Sequence, residues 1–124
     1  MTHLINADLH CHSVVSDGTL TPEALAPRAK ANGVELWALT DHDEVSGQAR
    51  AAAAARLAGL PYVTGTEISV TFANVTVHIV GLGFDPTDAK LDSGLRETRG
   101  GREQRAQQMG AELAPLLAGI ATAH

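Results

Sequence analysis

A lone cysteine, Cys11, has no second thiol to pair with, so an internal disulfide framework is excluded. No apolar run approaches the roughly 20 residues that a bilayer-spanning helix needs. The opening Met1-Thr2-His3 lacks the basic and apolar regions of a signal peptide, and together these absences lead us to expect a soluble, cytoplasmic protein. Internal repeats and long linkers are missing too, and 124 residues suffice for one ordinary domain with its own core. Basic residues are the minority, 9 Lys and Arg against 14 Asp and Glu, and the formal charge of -5 argues against non-specific binding to duplex DNA, which needs a basic surface. A phosphorylated substrate stays open, because bound divalent cations would reverse the sign of the field locally.

What is present is a succession of short elements with clear ends. Thr21-Pro22-Glu23 reads as N-cap, first helical position and acidic first turn, and Asn32-Gly33 as the stop; Pro27 predicts a kink or a broken first turn inside that helix. Val34–Thr40 is a short apolar strand that gives way to Asp41-His42-Asp43-Glu44. Ser46 is the expected cap of an alanine-rich helix, Ala49 to Ala58, ending at Gly59, and Pro61–Glu67 makes a third strand. Strand, helix, strand, helix, strand is the pattern of a parallel α/β sheet. Alternation through Ile68, Val70 and Phe72, then Val75, Val77 and Ile79, predicts a hairpin turning at Ala73-Asn74 and running on to Asp85. Leu91 to Leu113 is polar and helical in pattern despite four glycines, with Pro115 as its expected end.

The chemistry concentrates in Asp8-Leu9-His10-Cys11-His12-Ser13, preceded by the apolar lead-in Leu4-Ile5 and followed by Ser16-Asp17-Gly18. On a strand, alternation puts Asp8, His10 and His12 on one face and Cys11 on the other, as a small buried side chain. With Asp17, His42, Glu67 and His78 the candidate ligands number six, most of them at or just after a strand end, where parallel α/β folds build their sites. Imidazole plus carboxylate suits manganese, iron or zinc. Six such ligands with Glu67 as a bridge can serve more than one ion, and such a cluster would supply what phosphoester hydrolysis needs. Asp8 and Asp41 are expected to accept the remaining ring hydrogen of a ligating histidine. Asp43 is open between base, ligand and helix cap. His3 and His124 carry no argument.

These residues resemble the PHP (polymerase and histidinol phosphatase) domain of metal-dependent phosphoesterases over roughly residues 4 to 86. The first motif looks like Asp8–Ser13 with Ser16-Asp17-Gly18, the second like Leu39-Thr40-Asp41-His42-Asp43, the bridging acid like Glu67 in Gly65-Thr66-Glu67-Ile68-Ser69, and His78 in Val77-His78-Ile79-Val80-Gly81 completes them. The resemblance implies two or three divalent ions, manganese first: His10, His12 and Glu67 on one, Glu67 and His78 on a second, Asp17 and His42 on a third. It implies a distorted seven-stranded (β/α) TIM-like barrel. Residues 1–90 would be its N-terminal part and 91–124 a helical segment opening an inserted domain. The family's later ligands, a further His and an Asp-x-His, have no counterpart here except His124, so we expect part of a longer protein, with an incomplete site and little activity when isolated.

Leu82-Gly83-Phe84-Asp85 and the arginine-bearing segment after it look most like the branch that removes the 3′-phosphate of nucleoside 3′,5′-bisphosphates and trims RNA from its 5′ end. Arg99, Arg102 and Arg105 would then reach substrate phosphates, against the plainer reading of a solvated helix face. Histidinol phosphatase is the alternative within the class. A non-catalytic, metal-stabilised accessory module of a polymerase is the alternative outside it, and that reading predicts degraded ligands where all six are present.

Overall fold

The computed structural model describes residues 2–122, apart from the side chains at 103, 105, 106, 109, 112, 113 and 116–122. Seven elements follow in order: β1 (Ala7–Asp8), α1 (Pro22–Ala31), β2 (Leu36–Trp37), α2 (Gln48–Ala58), β3 (Gly65–Phe72), β4 (Val75–Leu82) and α3 (Ala89–Thr122). β1 and β2 pair in parallel, and parallel bridges join Trp37 to Tyr62 and His42 to Glu67. Three extended segments thus lie side by side with α1 and α2 as the crossovers, the α/β order read from the sequence.

Local chemistry sets the helix ends. Thr21 Oγ1 accepts from Ala24 N at 3.1 Å and Pro22 opens α1, as expected. The expected break at Pro27 does not occur: the residue is exposed, and the helix gives up one amide donor and continues. The N-cap of α2 is Gly47, not Ser46, and it makes no side-chain cap bond. A Cβ on Gly47 would stand 3.2 Å from Val15 and 3.3 Å from Leu39, so close packing holds the chain here in place of a cap. Gly59, at φ +67, ends the helix.

The strands are shorter and longer than their patterns. After the Asp8 register, Ala38 N donates to Asp8 O, but Thr40 N donates to Cys11 O, so three residues on the first segment oppose two on the second. This bulge ends β1 before His10 and interrupts the alternation expected through His12. Leu4 and Ile5 lie outside any strand and are exposed. β3 instead runs unbroken from Gly65 through the hairpin pattern, pairing antiparallel with β4, with Ser69 opposite His78. Ala73 and Asn74 have φ +50 and +64, the two left-handed residues of a tight two-residue hairpin.

Trp37, Leu39, Val34, Leu60, Ala26, Ala51 and Ala55 form the core, with Cys11 and Tyr62 packed against it. Alanines on both helices let them approach the sheet closely, so one tryptophan fills the centre. Burial pushes the Cys11 thiol up, in keeping with a small core side chain. α3 continues through Pro115 to Thr122, past its expected end, because an exposed helix survives the loss of one donor. Among the described residues no helix is long and apolar enough to cross a membrane.

Candidate metal centre

All six sequence-predicted ligands meet where the parallel segments end. They form three overlapping groups, His10–His12–Glu67, His12–Asp17–His42 and His42–Glu67–His78, within each of which the ligand atoms lie within 4.8 Å of one another. His12, His42 and Glu67 each belong to two groups. The pairing implied by resemblance is present within them, but His12 joins the Asp17 group and His42 the His78 group as well.

Glu67 stands at the centre, 5% exposed. Its Oε1 is 2.9 Å from His10 Nε2, and its Oε2 is 2.9 Å from His42 Nδ1 and 3.6 Å from His12 Nε2. Asp17, on the solvent side, has Oδ2 3.2 Å from His42 Nε2 and Oδ1 3.6 Å from His12 Nδ1. The His12 and His42 rings stack with centroids 4.5 Å apart, so each presents one nitrogen toward Glu67 and the other toward Asp17. His10 and His12 reach one another at 3.1 Å between Nε2 atoms in spite of the bulge.

These donors fit a divalent cation. Nδ1 of His12 and of His42 are buried with no hydrogen-bond partner, although a carboxylate oxygen is close to each. The Glu67 oxygen lies off the direction a ring N–H on His42 would need, and the Asp17 oxygen, at 3.6 Å, is too far from His12 for a hydrogen bond. Buried polar atoms are ordinarily paired. A divalent cation can take several nitrogen and oxygen lone pairs at once, where a proton bridges a single pair, and the imidazole-carboxylate set matches manganese, iron and zinc alike.

The supporting bonds differ from the expectation. Asp41 accepts from Ser13 N and Ser13 Oγ, both at 2.7 Å, and from Ser16 Oγ at 2.8 Å. Asp8 accepts from His10 N at 3.2 Å. Neither carboxylate takes an imidazole hydrogen among the described bonds; both shape the loop that carries His10, His12 and Asp17. Gly18 closes that loop: a Cβ there would sit 2.2 Å from the His12 carbonyl oxygen. Ser69 Oγ lies 3.1 Å from His78 Nδ1 and leaves the other ring nitrogen for the site.

Sequence reading overlooked the serines and Gln48. The fully buried Gln48 donates to Leu39 O and Gly65 O, accepts from Gly65 N and from the Tyr62 hydroxyl, and staples the second and third parallel segments. The Ser13-x-x-Ser16 spacing beside two histidines was the one available signal.

Asp43 belongs to none of the three groups. Its Oδ1 accepts from Ser69 N, and Oδ2 faces Arg102. Arg99 donates to the Asp43 carbonyl and pairs with Glu44 at 3.3 Å. The Arg105 side chain and His124 lie outside the described residues, and His3 is bound to Glu35 away from the site.

A family model described as the PHP domain matches residues 8–110. The 3′,5′-nucleoside bisphosphate phosphatase of Chromobacterium violaceum is 53% identical over 110 residues, which is 89% of this chain and 39% of that protein. The 5′-3′ exoribonuclease of Haemophilus influenzae is 45% identical over 106 residues, 86% of this chain and 39% of that one. A solved amidohydrolase structure from Chromobacterium violaceum, with bound sulfate and no metal, superimposes with a TM-score of 0.83 at 52% identity over 90% of this chain and 39% of that one. This chain thus spans about two fifths of the length of these relatives. The matched residues carry all six clustered ligands, and the chain belongs to the PHP domain family.

Proposed function

We propose that the whole protein is a metal-dependent phosphoesterase that removes the 3′-phosphate of nucleoside 3′,5′-bisphosphates and trims short RNA from its 5′ end. In this reading residues 1–90 begin a distorted seven-stranded barrel, 91–124 open an inserted helical segment, and further ligands come from later in the protein. The observation that carries it is the overlap of the three ligand groups through His12, His42 and Glu67. Overlap calls for a cluster of two or three ions, and manganese is our first choice. When bound, such ions supply Lewis acidity toward phosphoryl oxygens.

The chain's own residues build the place for that chemistry. Glu67, held in strand register beside His42, puts a buried negative charge between imidazoles from two segments. Asp17, like His10 and His78, is exposed, and it stands on the solvent side of His12 and His42, the side from which a phosphate group would enter. Arg99, Arg102 and Arg105 lie at i, i+3 spacing, and a substrate phosphate would compete with Glu44 and Asp43 for the first two. The net negative charge disfavours duplex DNA, whereas divalent cations, when bound, would make the site itself attractive to a nucleotide or short RNA. We place the protein in the cytoplasm, where such substrates are found, with no membrane partner.

The test is hydrolysis by the full-length protein with manganese, comparing adenosine 3′,5′-bisphosphate with histidinol phosphate, and with Glu67→Ala and His42→Ala as controls. Preference for the bisphosphate, lost in both variants, is the expected result. Undiminished turnover in both variants would overturn the reading.

A further inference from the structure

The parallel ladder beside β3 ends at Asp43 by an exchange of acceptors. Glu67 N donates to Asp41 O at 3.1 Å and Asp43 N to Glu67 O at 2.9 Å. Continued regularly, the next rung would join Ser69 N to the Asp43 carbonyl. Instead the backbone enters the left-handed region at Asp43, φ +48, and the side chain takes the rung, Oδ1 accepting from Ser69 N at 2.9 Å. The released carbonyl accepts from Arg99 Nη1 on α3 at 2.5 Å. Oδ2, which has no hydrogen bond among the described residues, lies 3.4 Å from Arg102 Nη1. A non-glycine residue holds such a conformation only where its surroundings over-determine it. Asp43 is fully buried, and four contacts, two to β3 and two to α3, do so here.

Both ends of this arrangement lead somewhere. Ser69 is the cross-strand partner of His78 and bonds its Nδ1. Arg99 and Arg102 are the described guanidinium groups by which α3 reaches the 41–44 turn. We propose that Asp43 is a positioning residue working in two directions: through Ser69 it sets His78 in the group shared with His42 and Glu67, and through Arg99 and Arg102 it ties α3 to the same rim. The first direction rests on the metal-dependent reading above; the second does not. The two are chemically separable, because accepting the Ser69 amide needs only an oxygen, whereas holding Arg102 needs a charge. Asparagine keeps the oxygen, tolerates left-handed backbone and lacks the charge.

The experiment measures manganese(II) binding and amide hydrogen exchange of residues 89–102 in the full-length protein and its variants. Asp43→Asn should bind manganese as the wild type does while the α3 amides exchange about tenfold faster, and Arg102→Gln should reproduce that result. Asp43→Ala should show the fast exchange and also lose about tenfold in affinity for one ion. Ser69→Ala, which keeps the backbone rung, covers the case in which Asp43→Ala does not fold: it should weaken manganese binding and leave α3 exchange unchanged. A general loss of stability would move both readouts together in every variant and would overturn the proposal. Equal manganese binding by Asp43→Asn, Ser69→Ala and wild type would remove the His78 direction, and unchanged exchange in Asp43→Asn and Arg102→Gln would remove the α3 direction. A wild type that takes up no manganese refutes the metal reading and the His78 direction with it, while the exchange data still decide the tie to α3.

Discussion

His42 and Glu67 are joined twice. Their backbones form a parallel bridge, and His42 Nδ1 lies 2.9 Å from a Glu67 carboxylate oxygen. Side chains at a bridged pair leave the sheet on the same face, so strand register alone makes them neighbours. The groups that each shares with His12 and His10 are built outward from this pair.

Metal binding should be visible as stability. Ions bound only by the folded chain add about 2.7 kcal/mol at a concentration 100-fold above Kd, enough to raise Tm by a few degrees. Calorimetry of the full-length protein with manganese, then with a chelator, should show that rise and its reversal. Glu67→Ala strips the shared carboxylate from two of the three groups and should lose most of the increment. Identical melting with and without chelator would count against a bound cluster.

Gly18→Ala should damage the centre from outside it. A Cβ 2.2 Å from the His12 carbonyl oxygen and 2.5 Å from its carbon meets backbone, which cannot swing aside as a flexible side chain would. Overpacking of this kind costs about 1–3 kcal/mol, and the displaced loop should carry Asp17 away from His12 and His42. Urea unfolding and manganese titration of this variant should both shift; wild-type values in the two would show that the loop adapts freely.

Gln48→Leu is nearly isosteric but should be strongly destabilising. It leaves Leu39 O, Gly65 N, Gly65 O and the Tyr62 hydroxyl without their buried partner. Burial pushes the Tyr62 phenol up, so the hydroxyl stays a neutral donor and cannot ionise to escape the loss. With buried unsatisfied groups at about 1–3 kcal/mol each, a total of about 3 kcal/mol or more is expected. Chemical denaturation reads it directly, and a change below experimental error would show that the staple is dispensable.

Glu23 couples the two helices to pH. Arg50 on α2 donates to both its oxygens, at 2.6 and 2.8 Å, and this bond holds the Glu23 carboxyl below its usual 4.5. A carboxylate with a depressed folded pKa stabilises above its unfolded value and loses that contribution as pH falls through the folded one. Melting temperature should therefore decline on acidification less steeply in Glu23→Gln than in the wild type. The difference should shrink in high salt, because both groups are exposed. Parallel pH curves for the two proteins would remove the pair from the account.

What was legible in the sequence was local. Thr21-Pro22 opens α1, Gly59 closes α2 and Ala73-Asn74 turns the hairpin, each through the conformational preference of one or two residues. The donor types of the centre were equally plain, since His10, His12, Asp17, His42, Glu67 and His78 all reach it. The bulge after Asp8, the Gly47 start of α2, the partners of Asp41 and the continuation of α3 past Pro115 were not. Each depends on contacts or close packing that periodicity does not encode: Ser13 and Asp41 are 28 residues apart, and Arg99 and Asp43 are 56 apart.

By itself, then, the order of amino acids determined which chemistry is available and where segments stop, because capping, turn formation and ligand softness are properties of single residues and their near neighbours. Only the tertiary structure decided that His12 and His42 stack and offer a nitrogen to each of two groups, that Asp41 serves the serine loop, and that Asp43 exchanges its carbonyl for its carboxylate. Those outcomes follow from strand register and from hydrogen bonds between distant segments, which exist only once the chain has closed on itself.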